Sequence, residues 1–314
     1  MGRIEKLSTK DMSREDWLDA RNRSIGGSDA ASILGLNQYN SAYALWAEKT
    51  GKVVPEDISD KEAVRLGNDL EQYVAERFME ATGKRVQRTH FIWKNEAYPF
   101  AHANPDRIVV GENAGLECKT TSSWDIAQQL RAGNIPPHWY CQMVHYMMVT
   151  GAQRWYLGAL VFGTGFFHFA VERDEGEIQA LADAERDFWC GVENNIPPAL
   201  DGADATTEAL KIIYRDSAPG KAVDLTAVGS NIQLYTEVCR RIKELEATKA
   251  EQENCIKEYM ADAEKGTYGN VSVSWKSGTR RTFDKKAYEA DHGKIAENYY
   301  AVTNTRTFRV NVKN

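Results

Sequence analysis

Two carboxylates and a lysine are spaced in a way that could hold a metal ion. Asp106 is followed, after ten intervening residues, by Glu117-Cys118-Lys119. Glu117 and Lys119 are two apart on a predicted strand, so both side chains point to one face. Asp106 begins the preceding strand, across a tight turn at 111–115. Carboxylates suit Mg²⁺, which keeps several waters for a phosphate substrate. The pattern indicates metal-assisted phosphodiester hydrolysis, with Lys119 orienting water or neutralising charge; a solvated Glu/Lys pair is the alternative.

Polar residues upstream and downstream could complete this site. Glu71 lies at the end of Gly67-Asn-Asp-Leu-Glu71 on a predicted helix, as a third acidic ligand or an exposed helical Glu. Gln142 and Tyr146 are four residues apart, so they share one face of a helix. The alternative for that pair is an amphipathic helix lying on a sheet.

The elements that must position these residues alternate between helices and strands. A run of helices precedes the strands, and a further helix separates the two strand groups, which is typical of an α/β (α+β) fold with a mixed sheet flanked by helices. Hydrophobic periodicity and turn residues predict helices over 14–20, 30–35, 59–82, 125–131, 137–149 and 175–193, and strands over 86–93, 106–111, 115–121, 154–162 and 166–173.

Pro197-Pro198 and the polar stretch at 201–207 predict a domain boundary. We place it between residues 205 and 206, so that 1–205 form the core and 206–314 form an extension. The extension is predicted to contain one long helix, a β-hairpin and an extended end. The predicted ranges are 231–264 for the helix, 271–275 with 281–283 for the hairpin and 306–310 for the end. Apolar residues recur along the helix at coiled-coil steps, interrupted by Lys249 and Gln252, so packing within its own domain is favoured over a coiled coil.

Charge is distributed unevenly along the 314 residues. The net charge is −6, but residues 276–314 have nine basic and four acidic residues, a balance of +5, which leaves −11 on residues 1–275. Overall acidity argues mildly against binding a polyanion, whereas the basic tail could contact DNA, a protein or only solvent. No apolar run is long enough for a membrane span, and the N-terminal residues do not resemble a secretory signal, so we expect a cytoplasmic protein.

The ordered motifs resemble those of a known nuclease superfamily. Gly-x-x-x-Glu, Pro-Asp, Glu-x-Lys and Gln-x-x-x-Tyr occur in the order and spacing of the PD-(D/E)xK nucleases, in the branch of phage λ exonuclease and RecB-type nuclease domains. The segment Arg21-Asn-Arg-Ser-Ile-Gly-Gly-Ser28-Asp-Ala-Ala-Ser-Ile-Leu-Gly35 resembles the opening signature of the YqaJ-like viral recombinases. This resemblance covers about residues 14–200, and 276–310 resembles the tail of longer YqaJ members.

The resemblance implies a restriction-endonuclease-like fold and a two-metal exonuclease. Such an enzyme degrades linear double-stranded DNA from its ends in the 5′→3′ direction with Mg²⁺ (Mn²⁺ as substitute), releases 5′-phosphate products and leaves 3′ single strands for recombination. It also implies a toroidal homotrimer and a RecT-like single-strand annealing partner. Carried over by position, the resemblance implies metal ligands at Asp106, Glu117, the main-chain carbonyl of Cys118 and Glu71. It implies that Lys119 positions the water, that Gln142 supports the water or the scissile phosphate, and that Tyr146 braces the site. Arg21 and Ser28 would bind the 5′-phosphate.

Two further functions compete with this interpretation. A site-specific endonuclease of the same fold would need base-reading loops, and none is identifiable. A non-catalytic DNA-binding scaffold is disfavoured by the complete set of Asp106, Glu117 and Lys119. The five cysteines lack the spacing of an iron–sulfur cluster, so none is expected. Trp124, Trp139, Trp155 and Tyr156 are candidates for base stacking, although aromatic residues beside strands are more often core.

Overall fold

The chain forms two compact units. The computed structural model describes residues 2–55, 57–295, 297–301 and 308–310, and the units divide between Arg215 and Asp216. The predicted division at 205/206 falls instead inside a helix, Asp204–Ile213. Thr206 of this helix is buried, and its hydroxyl lies 2.7 Å from the hydroxyl of Ser41. The helix therefore belongs to the first unit.

A five-stranded mixed sheet forms the centre of the first unit. In spatial order its strands are β2 (Val86–Arg88), β5 (Arg107–Val109), β6 (Ala114–Thr121), β7 (Arg154–Val161) and β8 (Gly165–Glu172). Strands β6 and β7 are parallel, and the other neighbours are antiparallel.

Helices flank this sheet, as the sequence predicts. Among the described residues of the first unit, eight α-helices are present: α1 (Arg14–Asn22), α2 (Gly27–Ile33), α3 (Ala42–Lys49), α4 (Glu62–Thr82), α5 (Trp124–Arg131), α6 (Pro137–Thr150), α7 (Glu175–Glu193) and α8 (Asp204–Ile213). The helix predicted over 175–193 has these bounds, and α1, α4, α5 and α6 differ from prediction by a few residues at their ends. Sequence analysis missed α3 and α8.

Opposite faces of the sheet pack against different helices. On β7, Tyr156 packs against Phe78 of α4, with ring centroids 5.2 Å apart. The next side chain along the strand, Trp155, faces the other way and packs against Tyr146 of α6, with ring centroids 5.1 Å apart. Pairing of Glu117 with Leu157 in the β6–β7 register places Glu117 on the α6 face. The face that carries the predicted catalytic residues is therefore the one covered by α6.

The strand predicted over 86–93 is two strands in different sheets. Its first part is β2 of the central sheet, and its second part begins β3 (Phe91–Asn95), which pairs with β1 (Ile4–Ser8) and β4 (His102–Ala103). The two parts are separated by Thr89 and His90, where the chain leaves one sheet for the other.

The second unit contains a long helix and a hairpin, with one strand of the hairpin predicted wrongly. Helix α9 spans Gly229–Met260, and the hairpin pairs β10 (Val271–Ser274) with β9 (Lys265–Tyr268) rather than with 281–283. A two-residue turn joins β9 and β10, so pairing nearby residues closes a much shorter loop than the predicted pairing would. A short helix α10 follows at Lys285–His292. Of the predicted extended end at 306–310, residues 306 and 307 lie outside the described residues.

Side chains of α9 at coiled-coil spacing are exposed. Tyr235, Val238, Ile242 and Leu245 have between 43 and 69% of their surface accessible. Tyr235 nevertheless packs against Phe308 of the same unit, with ring centroids 5.8 Å apart, whereas Val238, Ile242 and Leu245 remain largely exposed. Among the helices described, none is long and apolar enough to cross a membrane.

Candidate active site

The β5–β6 hairpin brings the two predicted carboxylates and the lysine together. Asp106 directly precedes β5, and its Oδ2 accepts a hydrogen bond from the backbone N–H of Cys118, with a distance of 2.8 Å. Glu117 and Lys119 project from the same face of β6, and Lys119 Nζ lies 2.6 Å from Glu117 Oε1. The alternation of side chains along a strand thus produces the arrangement predicted from the spacing.

Helix α6 supports this hairpin with an amide and a phenol. Gln142 Nε2 donates to Glu117 Oε1 and to the Tyr146 hydroxyl, each at 2.8 Å, and its Oε1 accepts from Lys119 Nζ at 2.9 Å. The Tyr146 hydroxyl in turn donates to the main-chain carbonyl of Asn104, at 3.3 Å. The predicted helical turn between Gln142 and Tyr146 therefore spans the distance from the lysine–glutamate pair to the loop before Asp106.

The electrostatics of this cluster favour a cation. Burial, together with the charges of Glu117 and Glu71, raises the pKa of Asp106 well above its usual range. Burial opposes the charged form of Lys119, but Glu117 and Asp106 outweigh it and raise the pKa of the ammonium. Glu117 Oε2 is buried and has no hydrogen-bond partner. Two carboxyl groups therefore share one ammonium, and ionising both is costly in a buried place unless a cation binds in the position that a proton otherwise takes.

Cys118 contributes its backbone rather than its thiol. Its side chain points to the opposite face of β6 and packs with the apolar cluster that includes Phe78. Burial, followed by the charges of Asp106 and Glu117, raises the pKa of the thiol well above its ordinary value, so it is not a thiolate ligand. The N–H of Cys118 points to Asp106, and a strand residue directs its N–H and C=O to the same edge. Its carbonyl therefore faces the side on which Asp106 lies.

Glu71 is in the same cleft but is held by two arginines. Its Oε1 forms an ion pair with the buried Arg107 and a second with Arg88, at 3.3 Å. Arg107 also binds Gln72 Oε1 and the carbonyl of Asp106, at 3.1 and 2.8 Å. Sequence reasoning missed Arg107, although its position directly after Asp106 at the start of a strand was the available signal.

The two residues predicted to bind a terminal phosphate line the same cleft. This cleft has a volume of about 510 Å³ and is lined, among others, by Arg21, Ser28, Glu71, Asp106, Gln142 and Tyr146. The Arg21 guanidinium lies over the Trp17 ring, 4.4 Å from its centroid. The positive charge of Arg21 also contributes to lowering the pKa of Asp29.

The glycine pair between Arg21 and Ser28 allows close packing beside the site. A Cβ at Gly27 would lie 2.6 Å from Tyr146 Cε1 and 3.0 Å from Gln142 Cγ, too close for any side chain. Gly26 is the N-cap of α2, so the helix includes Gly27, Ser28 and Asp29, which were predicted to form a turn before it. Ser28 therefore lies in the first turn of α2 and remains exposed.

Two buried polar clusters near the cleft were not predicted. In the first, Lys49 Nζ lies 2.9 Å from Asp29 Oδ2 beneath the segment that carries Arg21 and Ser28. In the second, His145 Nδ1 lies 2.7 Å from Glu185 Oε1, and both side chains are fully buried. Neither pair has a sequence spacing that indicates contact, because each joins residues from different helices.

Aromatic residues are distributed mainly to the core. Trp139, Trp155 and Tyr156 are buried and unavailable for stacking on a base, whereas Trp124 is 64% exposed. His102, four residues before Asp106, lies on β4 with its Nδ1 2.9 Å from Ser24 Oγ.

These residues fit a divalent cation held by Asp106, Glu117 and the carbonyl of Cys118. The excess of carboxylate charge and the unpaired Glu117 Oε2 both favour it, and oxygen donors are those that Mg²⁺ prefers. Across the part of the chain that the structure describes, no three His, Cys, Asp or Glu side chains are grouped so as to hold a metal ion. A second cation at Glu71 would have to displace the ion pairs that Glu71 forms with Arg88 and Arg107.

Comparison with known proteins agrees with the resemblance drawn from the motifs. Residues 16–153 match the YqaJ-like viral recombinase domain. The uncharacterized protein YqaJ of Bacillus subtilis (strain 168) is 38% identical over 313 residues, covering 98% of each chain. Two crystal structures of LHK-Exo, an alkaline exonuclease from Laribacter hongkongensis, cover 58% of this chain and 94% of their own at 22% identity, with TM-scores of 0.49 and, for the complex with dAMP, 0.50. The likeness to the dAMP complex shows the fold, and the predicted fold class is confirmed.

Proposed function

The chain belongs to the family of YqaJ-like viral recombinases, and from this premise we propose that it is a Mg²⁺-dependent exonuclease. It would degrade one strand of linear double-stranded DNA from its ends in the 5′→3′ direction and leave 3′ single strands for phage-type recombination. The observation that carries this proposal is the cluster of Asp106, Glu117 and Lys119, whose Asp106 lines the same cleft as Arg21. LHK-Exo was crystallised with dAMP, a mononucleotide of the kind that hydrolysis yielding 5′-phosphates releases.

Asp106, Glu117 and the Cys118 carbonyl would hold one metal ion, and Glu71 would complete a second site. When bound, Mg²⁺ or Mn²⁺ polarises the phosphodiester and lowers the pKa of the attacking water. Glu71 would then leave its ion pairs with Arg88 and Arg107 for the metal. The exposed Arg88 guanidinium could contact a phosphate of the DNA, whereas the buried Arg107 would keep its bonds to Gln72 and the carbonyl of Asp106.

Lys119 and Gln142 act at the scissile phosphate. The Lys119 ammonium, held by Glu117 Oε1 and Gln142 Oε1, orients the attacking water and neutralises the charge that develops on phosphorus. Gln142 supports either that water or the phosphate. Tyr146 keeps its proton, since burial and then the charges of Glu117 and Asp106 raise its pKa well above the ordinary value. It therefore braces Gln142 as a neutral phenol.

Arg21 and Ser28 bind the terminal 5′-phosphate. A guanidinium can grip a phosphate with two charge-assisted hydrogen bonds, and a hydroxyl adds one more donor. The stacking of Arg21 on Trp17 fixes the direction from which the guanidinium approaches. Because these residues share a cleft with Asp106, recognition of the end would set which phosphodiester is cut.

A RecT-like annealing protein would receive the 3′ single strand, and the enzyme would work in the cytoplasm as a homotrimer. The annealing partner and the trimer follow from family resemblance, and the location follows from the sequence pattern. The +5 balance of residues 276–314 makes this tail a second candidate for contact with DNA or with the annealing protein.

Digestion of matched DNA substrates tests the proposed activity. Linear duplex labelled at the 5′ or the 3′ terminus and covalently closed circles are incubated with the protein, with Mg²⁺ or with EDTA. We expect early release of the 5′ label from the linear duplex, retention of the 3′ label, intact circles and no reaction in EDTA. Cutting of circles would support the site-specific endonuclease instead, and binding without cutting would support the scaffold.

A further inference from the structure

Lys49 lies buried beneath the segment that carries the proposed phosphate-binding residues. It is the last residue of α3, and only 7% of its side chain is exposed. Its ammonium lies 2.9 Å from Asp29 Oδ2, and it donates to the main-chain carbonyls of Ser24 and Arg21 at 3.0 and 3.3 Å. An ammonium has three donors, and here each has an acceptor on residues 21–29.

The same segment is fastened at its middle by other contacts. Ile25 forms a parallel bridge with Ala101, and its backbone bonds to Phe100 and His102 are both 2.8 Å long. Asp29 Oδ2 also accepts from the N–H of Gly26, at 3.0 Å. These contacts hold the centre of the segment, whereas Lys49 joins the carbonyl of Arg21 to the first turn of α2.

Lys49 and Asp29 form a largely buried ion pair. Burial opposes the ionised form of Asp29, but the Lys49 ammonium, the Gly26 N–H and the charge of Arg21 together outweigh it and lower the pKa of the carboxyl. Asp29 is therefore held as a carboxylate beside the ammonium. Removing only one partner would leave a buried charge without compensation, so the pair must be altered together in a clean test.

We propose that Lys49 is a positioning residue for recognition of the 5′-phosphate: its ammonium fixes Arg21 and Ser28 relative to each other and to the metal-binding carboxylates. The proposal rests on the proposed function. Lys49 itself would not touch the DNA. Small displacements of a phosphate-binding group weaken charge-assisted hydrogen bonds steeply, so loosening the segment should affect recognition of the end rather than the chemistry at Lys119.

The test compares DNA ends that differ only in the terminal phosphate. The variant is Lys49→Met combined with Asp29→Asn, which removes both charges and leaves no buried ion unpaired. We expect the preference for 5′-phosphorylated over 5′-hydroxyl ends, expressed as the ratio of kcat/KM values, to fall about tenfold, the magnitude of one charge-assisted hydrogen bond. KM for phosphorylated ends should rise, while kcat and the values for hydroxyl ends stay unchanged.

Control variants separate the possible failures. Lys52→Met, which removes an exposed lysine from the next turn, should leave the ratio as in the wild type. Arg21→Ala in the double variant should lower the ratio by less than it does in the wild type, because both changes act on one interaction. An unchanged ratio in a double variant whose circular dichroism matches the wild type would overturn the positioning role. Wild-type protein that does not degrade linear duplex would contradict the proposed function itself.

Discussion

Helix α6 lies between two buried polar clusters that differ in charge and in access. On the side facing β6, Gln142 contacts Glu117 and Lys119 in a cleft open to solvent. On the side facing α7, His145 and Glu185 have no exposed surface at all. We refer to these as the open cluster and the closed cluster.

The comparison shows which feature marks a functional site. Each cluster contains a buried carboxylate oxygen without a partner, Glu117 Oε2 in the open one and Glu185 Oε2 in the closed one, so an unpaired oxygen by itself identifies nothing. The closed cluster balances one carboxyl with one imidazole. The open cluster sets Asp106 and Glu117 against a single ammonium, and a cation can reach it. Excess negative charge together with access is what indicates a metal site.

The largest effect is expected from removing the ammonium of the open cluster. Lys119→Ala should reduce degradation of linear duplex by about 10³-fold, as loss of one preorganised electrostatic group does, and should leave DNA binding nearly intact. Single-turnover rates with end-labelled duplex and a binding titration with Ca²⁺ in place of Mg²⁺ check this. Undiminished digestion would remove Lys119 from the mechanism.

The closed cluster should respond in stability instead of chemistry. Glu185→Ala leaves His145 without its partner, and we expect a loss of about 3 kcal/mol in the free energy of unfolding. The rate per folded molecule should stay close to that of the wild type. Denaturant unfolding and active-site titration measure the two quantities. Replacing both residues by glutamine is the matched control, and it should cost less than the single change because no charge remains.

Arg21→Ala should have a smaller and more specific effect. We expect the preference for 5′-phosphorylated over 5′-hydroxyl ends to fall about tenfold, since one charge-assisted contact is lost. Competition between the two kinds of end in one reaction gives the ratio directly. Arg23→Ala, which removes an exposed arginine paired with Asp19, is the control. Equal ratios for the wild type and Arg21→Ala would place the phosphate elsewhere.

The smallest expected effect is a pH dependence of stability that arises in the closed cluster. Burial opposes protonation of His145, but Glu185 and the His102 carbonyl outweigh it and raise its pKa; burial, only partly offset by His145, raises the pKa of Glu185. The folded pair thus keeps a proton that the unfolded histidine loses above a pH of about 6.5.

Unfolding then releases a proton from His145. The stabilisation that His145 provides is therefore complete below the pKa of an unfolded histidine, and it is lost as the pH rises through the higher pKa of His145 in the folded protein. The free energy of unfolding should decrease with rising pH above about 6.5, by at most about 1.4 kcal/mol per pH unit. Glu185→Gln should flatten this slope in denaturant titrations at several pH values. An identical slope in the variant would mean that other groups cause it.

The placement of the residues of the open cluster could be predicted because it follows from local periodicity. Strand alternation places Glu117 and Lys119 on one face, and one helical turn joins Gln142 to Tyr146. The contact of Gln142 with Glu117 and Lys119 depends on how α6 crosses the sheet. Only the family resemblance implied that these residues lie together.

Contacts between distant elements could not be predicted in the same way. Arg107 binds Glu71 from another element, and Lys49 binds Asp29 across two helices. No spacing rule links such residues, since their proximity is set by tertiary packing. The hairpin of the second unit was predicted wrongly for a different reason: residues 265–268 directly follow the predicted long helix and were not recognised as a strand, although only a two-residue turn joins them to 271–274.

Metal-dependent stabilisation tests the open cluster most directly. A ligand that binds only the folded protein at one hundred times its Kd adds about 2.7 kcal/mol, which corresponds to a rise in Tm of about 5–10 °C for a unit of this size. We expect saturating Mg²⁺ or Mn²⁺ to raise the Tm of the wild type and of Glu185→Gln equally, and to leave that of Glu117→Gln and Asp106→Asn unchanged. A rise in all four proteins, or in none, would contradict the assignment of the metal to Asp106 and Glu117.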